Sequence, residues 1–185
     1  MDNAAVLYRQ YLDGDNDALE ELVKIYNDSL IFYINGFVNN IADSEDIAAD
    51  TFVELIVKKS RFKNDYMFKT WLFKIARNNV FDYLRKQSRR RIEPLENSEN
   101  ELADRETLED AVIKDEQSKQ LHEAMAAMHN EYRDVLHLIY FADMSYDGAA
   151  AVLGKNVKQI KNLVYRAKQA LKLSLEKGGF IYENI

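Results

Sequence analysis

Proline occurs once in this chain of 185 residues, at Pro94, and glycine occurs only six times. Scarcity of both residues disfavours a fold of short strands joined by tight turns. On both sides of Pro94, long stretches place apolar residues at three- and four-residue spacing, the period of an amphipathic helix. The sequence therefore predicts an all-α protein.

The segment that contains the proline predicts a boundary between two domains. Residues 93–110, EPLENSENELADRETLED, are acidic and polar and contain few large apolar residues. A segment of this composition cannot bury enough apolar surface to fold, and it is typical of linkers. We therefore expect one small helical domain at residues 1–91, an acidic flexible linker at residues 92–111, and a second helical domain at residues 112–185.

Composition and simple motifs exclude several classes of protein. The chain has no cysteine, so disulfides, thiolate metal sites and cysteine nucleophiles are excluded. It has no apolar run long enough for a membrane span, and its start, MDNAAVLYRQ, lacks the features of a signal peptide. The three histidines, His122, His129 and His137, accompany no catalytic or phosphate-binding motif and are expected to be ordinary surface or boundary residues. We expect a cytoplasmic protein that is not an enzyme and that needs no metal or cofactor.

Charge is segregated along the chain, although the formal net charge is only −6. Residues 1–57 carry a net charge of −10 and residues 58–91 a net charge of +10. The pattern repeats, with −8 in residues 92–116, −3 in residues 117–154 and +6 in residues 155–177. Sign asymmetry of this kind indicates interaction surfaces, and the two basic segments are expected to contact a polyanion.

Four helices are expected in the first domain, near residues 4–12, 17–37, 44–59 and 66–86. Asp17 is the expected N-cap of the second helix, and Glu20 would complete a capping box.

In the third predicted helix, SEDIAADTFVELIVKK, the expected core residues are Ala48, Phe52, Leu55 and Ile56. The acidic stripe of this helix consists of Asp46, Asp50 and Glu54. Like charges at this spacing cost an isolated helix about 0.2–0.5 kcal/mol per pair. Together with Val53 and Val57, the stripe is either a solvated face or a docking face for a basic partner helix.

The fourth predicted helix carries most of the positive charge of the first domain. Residues 77–91, RNNVFDYLRKQSRRR, include six basic residues and one acidic residue. Cations at a helix end complement the macrodipole, but cations interleaved with aromatic rings are typical of nucleic-acid binding. The residues expected to pack inward are Leu72, Ile75, Ala76 and Tyr83. The expected polar stripe consists of Lys74, Asn78, Asp82, Arg85 and Arg89. Phe68 and Trp71 are the rings expected to reach nucleic acid.

Residues 144–172, MSYDGAAAVLGKNVKQIKNLVYRAKQALK, predict a helix-turn-helix in the second domain. Ser145 and Asn156 are the expected N-caps of its two helices, and Gly154 is expected to be left-handed. The inward stripe of the second helix would consist of Ile160, Val164, Ala167 and Leu171. A recognition helix places its N-terminal residues against base edges. The expected DNA-binding residues are Lys155, Lys158, Gln159, Lys161, Asn162, Tyr165 and Arg166. The alternative is an ordinary helical hairpin with a solvated basic face.

Three stretches, taken in order, resemble one bacterial family. DSEDIAADTFVEL resembles region 2.2 of the extracytoplasmic-function (group 4, sigma-70 family) sigma factors of RNA polymerase. FKTWLFKIARNNVFDYLRKQSRRR resembles regions 2.3 and 2.4, and EYRDVLHLIYFADMSYDGAAAVLGKNVKQIKNLVYRAKQALK resembles region 4. The resemblance implies a factor that directs core polymerase to promoters by reading the −35 element as duplex and the −10 element as a melted strand.

The resemblance also implies partners and site residues. Region 2.2 of the family docks on the polymerase β′ subunit, which implies core polymerase binding by Asp46, Asp50, Val53, Glu54 and Val57. Region 2 captures a flipped base, and by motif match Phe68 and Asp82 would line the base pocket. The implied −10 contacts are Phe68, Trp71, Lys74, Arg77, Asn78, Asp82, Arg85, Lys86 and Arg89. Contacts with the β subunit and an anti-sigma factor are implied by the family alone.

Some positions depart from the family pattern, and two other functions stay open. Met128-His129 replaces a common Leu-Pro pair, Gly148 lies inside a short helix, and Leu163 replaces an arginine of the recognition helix. These departures affect the −35 sequence that would be read. The first alternative is a helix-turn-helix regulator that binds DNA without polymerase. The second is a sigma-like decoy for an anti-sigma factor.

Overall fold

The computed structural model describes residues 3–58, 68–92 and 116–177, and every regular element in these residues is a helix. The chain divides into two compact units, residues 1–107 and residues 108–185. The prediction of an all-α protein with two helical domains is confirmed. Most of the predicted linker, residues 93–111, and the tail at residues 178–185 lie outside the described residues. No described helix has the length and apolarity needed to cross a membrane.

The first unit contains the four predicted helices. These are α1 (Asn3–Leu12), α2 (Asn16–Val38), α3 (Ile41–Val57) and α4 (Phe68–Ile92). Helix α2 packs on α1, α3 and α4, and α3 packs on α4. Their shared core is built from large side chains with almost no exposed surface, among them Tyr8, Leu22, Leu30, Tyr33, Ile34, Leu55 and Leu72.

The N-cap of α2 is Asp15 and not the predicted Asp17. The Asp15 carboxylate accepts hydrogen bonds from the backbone N–H groups of Asp17 and Ala18, at 3.0 and 3.4 Å. Both aspartates are good capping residues, and the local sequence cannot distinguish them. The earlier of the two aspartates caps the free backbone donors and begins the helix, so the predicted start was two residues too late.

Helix α3 also begins earlier than predicted, at Ile41 with Asn40 as its cap. The Asn40 side chain accepts from the backbone N–H of Asp43 at 3.0 Å. Ser44, the predicted start, is instead buried within the helix, where its hydroxyl donates to the Asn40 carbonyl at 2.6 Å. The predicted core face of α3 is also partly wrong, because Ile47 is buried and Ile56 is 37% exposed.

Helix α4 continues to Ile92, six residues beyond the predicted end at Lys86. The sequence from Gln87 to Arg91 contains no glycine or proline that would stop a helix. The predicted inward residues Leu72, Ile75 and Ala76 are buried, whereas Tyr83 is half-buried. The predicted start near Tyr66 lies outside the described residues.

The second unit contains four α-helices among its described residues. These are α5 (Glu116–Ala126), α6 (Asn130–Leu136), α7 (Tyr146–Leu153) and α8 (Val157–Lys177). Helix α8 packs on α5, α6 and α7 through Ile160, Val164 and Ala167, which are buried as predicted. Leu171, the fourth predicted inward residue, is half-buried, and Leu175, one turn further along, is buried instead.

The helix-turn-helix has the caps that the sequence predicts. The Ser145 hydroxyl accepts from the backbone N–H of Gly148 at 3.1 Å, and α7 ends at Leu153. Gly154 follows in the left-handed conformation, with φ of +65°, which glycine adopts without steric cost. Asn156 accepts from the backbone N–H of Gln159 at 2.9 Å and begins α8. These caps set the direction in which α8 leaves the turn.

A π-helical turn, His137–Phe141, extends α6 and was not predicted. It closes with a hydrogen bond from the Ala142 N–H to the His137 carbonyl at 2.8 Å. His137 is buried, with its ring centroid 5.2 Å from that of Phe141, so it is a core residue and not a surface histidine. His129 is exposed and caps α6. The side chain of His122 lies outside the described residues.

Candidate protein and nucleic-acid interfaces

The acidic stripe of α3 lies on the surface beside exposed apolar side chains. Asp46 and Asp50 are exposed, and Glu54 is half-buried and forms an ion pair with Lys58. Val53 is 57% exposed and Val57 is 75% exposed. An apolar strip bordered by carboxylates suits a partner helix that offers apolar residues and cations together.

A groove of about 430 Å³ lies between this face of α3 and residues 79–86 of α4. The α3 wall consists of Ile47, Asp50, Val53, Glu54 and Val57. The α4 wall consists of Asn79, Asp82, Tyr83 and Lys86. Residues that the sequence assigned to two surfaces, one for protein and one for DNA, therefore line a single groove.

Two hydrogen bonds connect α3 and α4 along the groove. The Tyr83 hydroxyl donates to the Asp43 carboxylate at 2.7 Å and accepts from the Gln87 side-chain amide at 3.2 Å. Deeper in the domain, the Asn79 side-chain amide donates to the Thr51 hydroxyl at 3.3 Å. The two pairs show that the helices are antiparallel. The local sequence gives no sign of this contact at Asp43, because its partner lies 40 residues away along the chain.

The predicted DNA-binding cations of α4 fall into two groups. Lys74, Lys86 and Arg89 are exposed and form no ion pair within the described residues. Arg85 instead pairs with Asp82, and its Nε donates to the Phe81 carbonyl at 3.3 Å. Arg77 lies over the Phe81 ring, with its Cζ atom 4.6 Å from the centroid. The predicted polar stripe is exposed, but two arginines predicted to bind DNA are engaged within their own helix.

The prediction that Phe68 reaches nucleic acid is wrong. Phe68 has no exposed surface, and its ring contacts Tyr8 and Tyr26 at centroid distances of 5.2 and 5.8 Å. It is also fourteen residues from Asp82, which corresponds to about 21 Å along the helix. The two residues therefore cannot line one base pocket. Trp71 is half-buried, and its ring packs edge-to-face with that of Tyr8 at a centroid distance of 5.5 Å.

The recognition helix α8 presents most of its predicted DNA contacts to solvent. Lys158, Lys161, Asn162, Tyr165 and Arg166 are exposed. The other two predicted contacts have partners within the unit. The Lys155 Nζ atom lies 3.1 Å from the Glu131 carboxylate, and the Gln159 side-chain oxygen accepts from the Asn156 N–H at 2.8 Å.

An aromatic side chain beside α8 was not singled out from the sequence. Tyr140, in the π-helical turn, is exposed, and the Lys168 Nζ atom lies 5.5 Å from its ring centroid. Its position depends on the π-helical turn, for which the sequence offers no clear signal. It adds a ring to the outward basic face of α8.

Comparison with known proteins identifies both units. Residues 22–90 match the family profile of Sigma-70 region 2, and residues 118–171 match that of Sigma-70, region 4. The two ranges together cover more than half of the chain. SigW of Bacillus subtilis (strain 168), an ECF RNA polymerase sigma factor, is 29% identical over 175 residues. That alignment covers 90% of this chain and 94% of SigW.

Two solved structures share this fold. CnrH, solved in complex with the cytosolic domain of CnrY, is 24% identical, with a TM-score of 0.72 over 95% of this chain and 99% of CnrH. The sigma factor RpoE from Bartonella quintana, solved with the anti-sigma factor NepR, is 21% identical, with a TM-score of 0.66 over 85% of this chain and 96% of RpoE. Both regions match in order, and a curated relative aligns over nearly its whole length. The chain therefore belongs to the sigma-70 family, as an extracytoplasmic-function sigma factor that directs RNA polymerase to promoters.

Proposed function

We propose that this sigma factor docks on core RNA polymerase through the exposed face of α3. The observation that carries the proposal is the exposure of Val53 and Val57 beside Asp46 and Asp50. Burial of these valines against a partner helix is favourable, at roughly 25 cal/mol per Å² of apolar surface. The carboxylates would select a basic partner, such as the family's docking helices in the β′ subunit.

The proposed −10 contacts lie on α4. Lys74, Lys86 and Arg89 are exposed cations that can neutralise phosphates of a melted strand. Asn78 and Asp82 are exposed polar groups on the same polar stripe and can hydrogen-bond to an unpaired base. Trp71 remains a proposed stacking ring, because part of its surface is accessible, and Arg77 and Arg85 remain proposed contacts if they leave their partners.

The proposed −35 contacts lie on α8. Lys158, Lys161 and Asn162 are exposed near the start of the recognition helix, where side chains meet base edges in a major groove. Lysine suits guanine and asparagine suits adenine. Tyr165 and Arg166, further along the helix, would meet the flanking DNA backbone.

The family also supports coarser proposals about location, chemistry and partners, and the charge layout supports one about DNA binding. The protein acts in the cytoplasm with polymerase and contributes no catalytic group of its own. An anti-sigma factor is a proposed partner, as NepR is for the Bartonella quintana sigma factor. The free chain is proposed to bind DNA weakly, because its acidic segments would screen the basic ones. The domain limits remain residues 1–91 and 112–185, with the acidic linker between them.

The test is in vitro transcription with core polymerase, a pooled promoter library and two triple variants. In the first variant Asp46, Asp50 and Glu54 are each changed to lysine. In the control, three exposed acids of α2, Glu20, Glu21 and Asp28, are changed to lysine, so both variants change net charge equally. We expect factor-dependent transcripts with the wild type and the control, and loss of both transcripts and polymerase binding in the α3 variant.

Other outcomes would reject the proposal. Wild-type protein that yields no transcript but binds duplex DNA alone is a classical regulator. Wild-type protein that yields no transcript and does not bind duplex DNA is a decoy. If the α3 variant binds polymerase as tightly as the wild type does, the docking face lies elsewhere.

A further inference from the structure

Helix α4 extends well beyond the part of it that is anchored in the domain core. Val80 is its last fully buried residue, and residues 81–89, whose side chains the structure describes, are half-buried or exposed. The helix continues from Val80 to Ile92, which corresponds to about 18 Å. This outer half of α4 carries Asp82, Lys86 and Arg89, so something other than core packing must hold the promoter contacts in place.

Within the described residues, a ring contact and a chain of hydrogen bonds attach the outer half of α4 to the rest of the unit. The Phe81 ring meets the Phe37 ring at a centroid distance of 5.9 Å. Beyond it, the Tyr83 hydroxyl donates to Asp43 at 2.7 Å and accepts from Gln87 at 3.2 Å. Gln87 lies one turn further along α4, so the chain of hydrogen bonds extends the attachment toward the C-terminal end of the helix.

Asp43 differs from the acidic stripe next to it. It lies in the first turn of α3 and is half-buried, whereas Asp46 and Asp50 are exposed. The Asp43 carboxylate accepts a hydrogen bond from Tyr83 of α4, so the position of Asp43 is fixed relative to the outer half of that helix. A hydrogen bond to a charged acceptor is short, directional and stronger than one between neutral groups. A ring contact alone would allow α4 to rotate or slide, and the directional bond restricts both motions.

We propose that Asp43 and Tyr83 are positioning residues that fix the promoter-reading half of α4 relative to the docking face of α3. The inference rests on the proposed roles of these two helices. Neither side chain needs to touch polymerase or DNA. Their hydrogen bond ensures that, once α3 is docked, the exposed cations of α4 occupy a defined place beside the −10 strand.

Three substitutions separate the hydrogen bond from charge and from packing. Tyr83→Phe removes only the hydroxyl. Asp43→Ala removes the acceptor, and Asp43→Asn removes the charge but keeps a carbonyl acceptor. Tyr132→Phe is the matched control, because it deletes the hydroxyl of a half-buried tyrosine in the other unit that has no proposed contact with polymerase or DNA.

Transcription and polymerase binding are measured on each variant, together with binding to single-stranded −10 DNA by the assembled holoenzyme. We expect Tyr83→Phe and Asp43→Ala to reduce transcription and −10 binding about tenfold, the size expected for loss of a hydrogen bond to a charged group. Polymerase affinity should stay within about twofold of wild type, and Asp43→Asn should recover most of the loss. The double variant Asp43→Ala/Tyr83→Phe should be no worse than either single variant, because both remove one interaction.

Hydrogen exchange of the free protein tests the positioning without polymerase. Backbone amides from Leu84 to Arg89 should exchange faster in Tyr83→Phe, and amides around Val80 should not change. Unaltered exchange, or wild-type transcription by Tyr83→Phe, would overturn the inference. A parallel loss of polymerase affinity would also overturn it, since Tyr83 would then belong to the docking groove. If the wild type itself fails to transcribe, the proposed function fails, and the exchange result still decides the positioning.

Discussion

Asn156 and Gln159 cap each other at the start of the recognition helix. The Asn156 side chain accepts from the Gln159 N–H at 2.9 Å, and the Gln159 side chain accepts from the Asn156 N–H at 2.8 Å. This reciprocal pair satisfies backbone donors that the first turn of a helix leaves unpaired. Gln159, which the sequence predicts as a base-reading residue, has its side-chain oxygen in the cap.

Substitution of Gln159 should therefore affect stability more than base preference. Gln159→Ala is expected to lower the free energy of unfolding of the second unit by about 0.5–2 kcal/mol, the usual cost of losing a cap. Gln159→Glu should preserve the reciprocal bonds. Denaturant unfolding gives the stabilities, and binding to a set of −35 variants gives the preference, with Asn162→Ala as the comparison expected to change it. An altered base preference in Gln159→Ala at unchanged stability would restore Gln159 as a reading residue.

Phe68 and Trp71 should respond differently to truncation. Phe68→Ala removes a fully buried ring and should destabilise the first unit by about 3–5 kcal/mol. Trp71→Ala should cost less, because its ring is half-buried, and should weaken −10 binding in protein that remains folded. Thermal unfolding and −10 strand binding distinguish the two. A folded Phe68→Ala protein with a selective −10 defect would show that the ring leaves the core on binding.

The two groups of α4 cations should differ in the salt dependence of promoter binding. Arg89 is exposed and forms no ion pair with any residue that the structure describes, so Arg89→Ala should lower the slope of log affinity against log salt by roughly 0.7 for single-stranded DNA. Arg85 is already paired with Asp82, so Arg85→Ala should lower the slope by less. Titrations of the holoenzyme over a range of salt concentrations measure both. Equal slopes in the two variants would mean that Arg85 exchanges Asp82 for a phosphate.

Tyr8 should make the first unit sensitive to alkali. Burial raises the pKa of Tyr8 to about 12, with a smaller contribution from Tyr11. Because the pKa is raised in the folded state, the stability that neutral Tyr8 provides is complete below the unfolded pKa of about 10. It is lost as the pH rises toward 12. Tyr8→Phe should lose less stability over this interval, as denaturant unfolding at successive pH values would show. Parallel curves for the two proteins would assign the loss to other groups.

Signals that act within a few residues were sufficient to predict much of the fold. Ser145, Gly154 and Asn156 each meet a local backbone requirement, and the structure places all three as predicted. The same reasoning failed where several residues could satisfy one requirement. Asp15 and Asp17 are both suitable caps, and the end of α4 has no stop signal before Ile92.

The candidate sites were harder to predict, because burial and pairing depend on distant parts of the chain. Phe68 and Trp71 are three residues apart on one helix, and the burial of Phe68 against Tyr8 and Tyr26 depends on residues more than 40 positions away in the sequence. The ion pair between Asp82 and Arg85 lies within one turn of α4. The long arginine side chain has many other conformations, however, and the sequence does not select among them. The bond between Asp43 and Tyr83 joins helices that no sequence motif pairs.

The groove between α3 and α4 has a consequence for how such a factor can evolve. Asp50 on one wall and Lys86 on the other face the same space, so under the proposed roles a substitution of either of these two residues can alter binding to both partners. Affinity for polymerase and preference for the −10 element would then change together. A substitution that alters one of them would need a second substitution to restore the other. Preference for the −35 element, which we propose depends on α8 in the other unit, would be free to diversify on its own.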